Sequence, residues 1–118
     1  MELDARTWSG LEYLESISGP GAIAEMVEGF TSDAPGRMVR MKAAFAAGEG
    51  ELLSRLAHDL KSNSATVGVL ELSALAARIE HDAREGLGES LQELIAHAEA
   101  LLPQALGALA ERAKQFPA

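Results

Sequence analysis

Three histidines, His58, His81 and His97, are the side chains with the widest chemical options in this sequence. The helical wheel separates them. Advancing 100° per residue from Leu52 puts Leu52, Leu53, Leu56, Leu60 and Val67 between roughly 0° and 100°, and His58 near 240°. His58 is therefore predicted to face water from the middle of a helix. Its neighbours three or four positions away are Ser54, Arg55, Lys61 and Ser62, with Ala65 one turn further. The small side chains leave an imidazole standing proud, open to another protein's backbone or a phosphorylated side chain. Arg55 and Lys61 would stabilise negative charge gathered beside the ring. An imidazole of ordinary pKa, about 6.5, is mostly neutral near pH 7 and keeps a lone pair. Such a nitrogen can attack phosphorus, and the resulting phosphoramidate is labile enough to be passed on. From the wheel alone, the competing reading is an ordinary solvated histidine. His81 and His97 read as ordinary, partly exposed residues.

The elements that must hold His58 are helical. Ala, Leu, Glu and Arg dominate, and aromatics are only 4% of the chain, which leaves little for a sheet core. A short first stripe, Trp8, Leu11 and Leu14, follows Thr7 and stops at Gly19-Pro20-Gly21. A second runs Ile23, Met26, Val27, Phe30, Ala34, Met38, Met41, Phe45 and stays in phase across Pro35. Pro35 could open a new helix or kink one long one, and the unbroken phase favours the kink. The third stripe carries His58 and stops at Gly68. The fourth is Leu72, Leu75, Ala76, Ile79, Ala83, ended by Gly86 and Gly88. Ser90 then looks like an N-cap, with Glu93 at the capping-box position, for a fifth stripe from Leu91 to Phe116. Pro103 inside it should bend or split that helix. The predicted fold is all-α: an antiparallel up-down-up-down four-helix bundle with a short additional N-terminal helix.

Composition limits the functions this bundle can serve. At 118 residues the chain supports one core, expected as a single domain over residues 1–118. Ten basic against eighteen acidic residues give a net charge of −8, which argues against nucleic acid. With no cysteine, disulfides, thiolate metal sites and thiol catalysis are excluded. The opening Met-Glu-Leu-Asp-Ala-Arg is acidic where a signal peptide is basic. No apolar run reaches the roughly 18 residues of a membrane span. A cytoplasmic location is expected.

Residues 57–68 read Ala-His-Asp-Leu-Lys-Ser-Asn-Ser-Ala-Thr-Val-Gly. The string resembles the signature of histidine-containing phosphotransfer (HPt) domains: His-x-Leu-Lys, then Gly or Ser, small residues, an apolar residue and Gly. Leu72, Leu75, Ala76, Ile79, Glu80, Arg84 and Gly86 resemble the family's following helix, which commonly ends in Arg-x-Gly. Upstream, Phe30, Asp33-Ala34-Pro35 and the run from Ala43 to Gly48 resemble the preceding helix. The likeness spans roughly residues 4–116.

The resemblance implies that His58 accepts a phosphoryl group on its outward nitrogen, relaying it between receiver-domain aspartates. Lys61 would neutralise phosphoryl oxygens or steer the partner. Ser54, Arg55, Ser62 and Ala65 would face that partner, with Ser62 giving clearance where the family more often has Gly. Ser64, near 120° on the wheel, would permit close helix contact, and Gly68 the turn onward. Asp59, Asn63 and Thr66 are minor departures, and Asp59 adds negative charge beside the site. No P-loop or GxGxxG is present, so no ATP site is expected. Ser18-Gly19-Pro20-Gly21 reads as a helix connection. No cofactor or metal of the chain's own is implied; Mg2+ and phosphoaspartate would come from the partner. That partner would be a response-regulator receiver domain, a hybrid histidine kinase, or both, with no nucleic acid or membrane, and the chain a monomer. Met38, Met41 and Phe45 read as core rather than docking patch.

Three other readings compete. The run from Ala57 to Ser62 also resembles the phospho-accepting helix of sensor kinases, where an acid follows the histidine. That family usually has Pro where Asn63 stands. A di-iron bundle needs Glu-x-x-His, which does not occur; Glu93 and His97 are four apart. A non-catalytic helical interaction module would keep the bundle without the relay, and the pairing of His58 with Lys61 argues against it.

Overall fold

Five helices account for most of residues 1–117, the part of the chain this computed structural model describes; Ala118 lies outside it. They are α1 (Ala5–Ser18), α2 (Ala22–Ala46), α3 (Gly50–Thr66), α4 (Leu70–Glu85) and α5 (Glu89–Ala113), with no strand among the described residues. The two 25-residue helices rise about 38 Å each at 1.5 Å per residue, matching a body 45 Å long and 22 × 21 Å across. Contacts close a ring: α2 packs on α3, α3 on α4, α4 on α5 and α5 on α2, while α1 packs on α2.

Each start and stop has a local cause. Asp4 caps α1, its carboxylate accepting from the Thr7 amide at 3.0 Å and the Thr7 hydroxyl at 2.6 Å. The helix thus starts before Thr7, and those two bonds hold the Asp4 carboxyl below its usual pKa. Pro35 does not open a new helix, and Pro103 does not split α5. Both prolines are exposed, as are Thr31 and Glu99, whose carbonyls each loses as a partner. The unpaired carbonyls sit on the solvent side, where water can satisfy them. The predicted Ser90 cap is a correction. Gly88 is the N-cap and makes no side-chain bond, so Ser90 and Glu93 lie within the helix. Glu89 in the first turn favours the helix dipole there.

α3 also departs from its single stripe. Its buried residues are Leu53, Ser54, Leu56, Ala57, Leu60 and Ser64, an arc from roughly 40° to 200° on the same wheel. Leu52 is exposed instead. The arc is wider and rotated because α3 packs on both α2 and α4, and α4 covers the side where Ser54 lies.

Two glycines set how closely α3 approaches its surroundings. A Cβ on Gly50 would lie 2.7 Å from the Ala83 carbonyl oxygen of α4. Gly68, with φ at +78°, turns the chain between α3 and α4, and a Cβ there would lie 2.9 Å from Trp8 Cδ1. Gly68 O also accepts from the Asp4 amide at 2.9 Å. Between these points, residues ascending along α3 meet residues descending along α4: Gly50 with Ala83, Ser54 with Glu80, Lys61 with Ser73.

Candidate functional site

Ser54 Oγ donates to the Glu80 carbonyl at 2.9 Å, and Ser73 Oγ donates to the Lys61 carbonyl at 2.9 Å. These two bonds tie α3 to α4 on either side of His58. Between them, His58 Nδ1 lies 2.9 Å from Glu80 Oε2, and Lys61 Nζ donates to Glu80 Oε1 at 2.8 Å. The Glu80 side chain is only 14% exposed, whereas that of His58 is 55% exposed. Arg84, one turn on from Glu80, has its guanidinium 3.8 Å from Oε2.

The electrostatics select the imidazole's tautomer. The Lys61 hydrogen bond holds the Glu80 carboxyl below its usual pKa; burial opposes this, and the His58 hydrogen bond adds to it. An ionised carboxylate can only accept, so Nδ1 carries the proton and donates. In the neutral ring the lone pair is then on Nε2. Nε2 has no hydrogen-bond partner among the described residues.

Asp59, next in sequence to His58, is engaged elsewhere. Its carboxylate accepts from Arg37 of α2 at 3.3 Å, and Arg37 also holds Asp33 at 3.1 Å. The acid on the histidine ring is Glu80 of the next helix, not the following residue as the sensor-kinase reading requires. His81 and His97 are exposed, and the nearest carboxylate to His81 is Glu85 at 3.9 Å.

The other predicted positions divide. Arg55 and Ser62 are exposed and Ala65 is half-buried on the His58 side. Ser54 is a correction: it is 1% exposed, its hydroxyl is spent on the Glu80 carbonyl, and it cannot face a partner. Ser64 is fully buried, its hydroxyl without a hydrogen-bond partner, and Gly68 is buried against Trp8. Met38 and Met41 are core and Phe45 is partly buried against it.

Glu80, Arg84 and Arg37 were given no role by the sequence. A wheel of α4 from Leu72 keeps Leu75, Ala76, Ile79 and Ala83 within about 60° of it. Glu80, Ser73 and Arg84 fall near 80°, 100° and 120°, a polar flank beside the apolar stripe. A carboxylate on such a flank was the available signal.

The site is an exposed histidine oriented by a carboxylate of the neighbouring helix, and in sequence the Hpt domain family matches residues 25–114. The chain belongs to that family, which carries out histidine phosphotransfer in two-component phosphorelays. Its fold is that of histidine-containing phosphotransfer protein B (HptB) from Pseudomonas aeruginosa PAO1, whose crystal structure matches with a TM-score of 0.85. The two are 22% identical over 97% of this chain and 96% of that one. No curated protein matches the sequence. Members of the family are phosphocarriers without kinase activity of their own, and they interact with receiver domains and histidine kinases. Among the described residues, no helix is long and apolar enough to cross a membrane.

Proposed function

We infer that His58 Nε2 is the phosphoryl acceptor through which this chain relays phosphate between receiver-domain aspartates. The carrying observation is the 2.9 Å contact of Nδ1 with Glu80 on a ring that is half in water. The Nε2 lone pair attacks the phosphorus of an aspartyl phosphate in line. The N–P bond forms as the P–O bond breaks, and its electron pair stays on the departing carboxylate. Nδ1 keeps its proton, so the phosphoimidazole is cationic and Glu80 stabilises it. Onward transfer is the same step reversed.

Lys61 serves this site by holding Glu80 ionised and in place, and it slows rather than abolishes transfer when removed. Arg55, Ser62 and Ala65 border the ring where a partner docks; Ser64 and Gly68 keep the helices close. The partners are a response-regulator receiver domain and, upstream, a hybrid histidine kinase. The chain needs no cofactor or metal and has no ATP site of its own, the Mg2+ coming with the receiver. The α2–α5 helices form an antiparallel up-down-up-down bundle with α1 as an addition, a reading supported by the closed ring of packing and the descending α3–α4 register. The chain acts as a single domain over residues 1–118, monomeric and cytoplasmic, without nucleic acid or membrane.

The test is incubation with a phosphorylated receiver. Wild type should gain acid-labile, base-stable phosphate, and His58→Gln should gain none while its helical content is unchanged. Equal labelling of the variant would remove His58 from the mechanism.

A further inference from the structure

A groove of about 430 Å³ opens beside the acceptor ring, lined by Arg55, His58, Asp59, Glu80 and Arg84. Its charges do not cancel. Each carboxylate contacts a cation that does not line the groove: Asp59 shares Arg37 with Asp33, at 3.3 Å and 3.1 Å, and Glu80 holds Lys61 at 2.8 Å, so that with Arg55 and Arg84 four cations face three carboxylates. The two arginines remain. Arg55 is exposed and forms no ion pair among the described residues. Arg84 is 67% exposed and only 3.8 Å from a carboxylate oxygen already accepting from His58.

Direction agrees with charge. Side chains on an α-helix lean toward its N-terminus, so the His58 ring leans toward Arg55, one turn earlier. Lys61 lies one turn later, and its ammonium is already held on Glu80. Arg55 approaches the groove from α3 and Arg84 from α4, one on each wall. A guanidinium presents paired N–H donors that match two phosphoryl oxygens, which an ammonium does not.

We propose that Arg55 and Arg84 form a two-sided guanidinium clamp on the phosphoryl group carried by His58. The clamp rests on the acceptor reading of His58. Arg84 exchanges its long contact with Glu80 for the phosphoryl oxygens, and the Arg37–Asp59 pair keeps the neighbouring carboxylate from repelling them.

Phosphoramidate separates a clamp from a docking surface, because this small donor reaches the ring without a receiver. In its reaction the Nε2–P bond forms, the P–N bond of the donor breaks and ammonia leaves. With labelling followed by 31P NMR, Arg55→Ala and Arg84→Ala should each slow phosphate gain by about tenfold, less than the roughly hundredfold or more lost with an enclosed charge-stabilising donor because both are exposed. Arg84→Lys should recover only part of the rate. Both side chains project from helix surfaces, so circular dichroism should match wild type. A wild-type labelling rate in either alanine variant would overturn the two-sided clamp, including the case where that variant slows transfer from a phosphorylated receiver alone. A wild-type protein that takes no label from phosphoramidate or receiver would instead overturn the acceptor reading beneath it.

Discussion

The α3–α4 pair carries two polar clusters that use similar groups to opposite ends. At the turn, Trp8 is fully buried, and its one polar atom, Nε1, donates to the Val67 carbonyl at 2.9 Å. The Arg112 guanidinium stacks 5.0 Å from the Trp8 ring centroid and reaches Glu12 at 3.2 Å, while Phe116 packs 6.3 Å away. Mid-helix, His58 spends one nitrogen on Glu80 and leaves the other facing water. A side chain with a single polar atom closes a structure. One with two can be oriented by the first and react with the second. The turn cluster fixes where α3 and α4 meet, and the open cluster uses that fixed spacing.

Gly68→Ala should break the closed cluster with the larger effect on stability. The new Cβ combines a left-handed backbone with a 2.9 Å approach to Trp8. Together these cost about 2–4 kcal/mol, readable as a lowered urea midpoint and a shifted Trp8 emission. An unchanged midpoint would mean that the turn does not fix the pair.

Lys61→Ala probes the open cluster and should do the reverse. The residue is 36% exposed, so its ion pair contributes under about 1 kcal/mol, yet transfer from a receiver should slow several-fold. Its signature is in pH. The Glu80 carboxyl is held below 4.5, chiefly by Lys61. A lowered carboxyl pKa contributes stability that is complete above the unfolded value and lost as pH falls through the folded one. The wild type's margin over Lys61→Ala should therefore be full near neutral pH and be lost as the pH falls below the ordinary carboxyl range and through the lowered Glu80 value. A margin independent of pH would detach Lys61 from Glu80.

The contrast also explains what the sequence made legible. Each helix was readable from its own stripe, and the exposure of His58 followed from the spacing of Leu53, Leu56 and Leu60. A wheel treats one helix at a time, however. It placed Ser54 on the solvent side, because the covering helix α4 is absent from that projection. Glu80 was visible in the sequence as part of the helix that resembles the family's, but with no role; its contact depends on the α3–α4 register, which Gly50 and Gly68 set through close approaches to Ala83 and Trp8. At Pro35 the unbroken stripe rightly favoured one long helix, and at Pro103 the sequence left bending or splitting open; both helices run on, since a proline on the watered face of a well-packed helix leaves a carbonyl that water can satisfy.

The position of the phosphate on the ring tests the account most directly. Protein with 15N-labelled histidine, phosphorylated and examined by 15N and 31P NMR, should carry phosphorus on Nε2 of His58, with Nδ1 still protonated against Glu80. Phosphorus on Nδ1, or on His81 or His97, would contradict it.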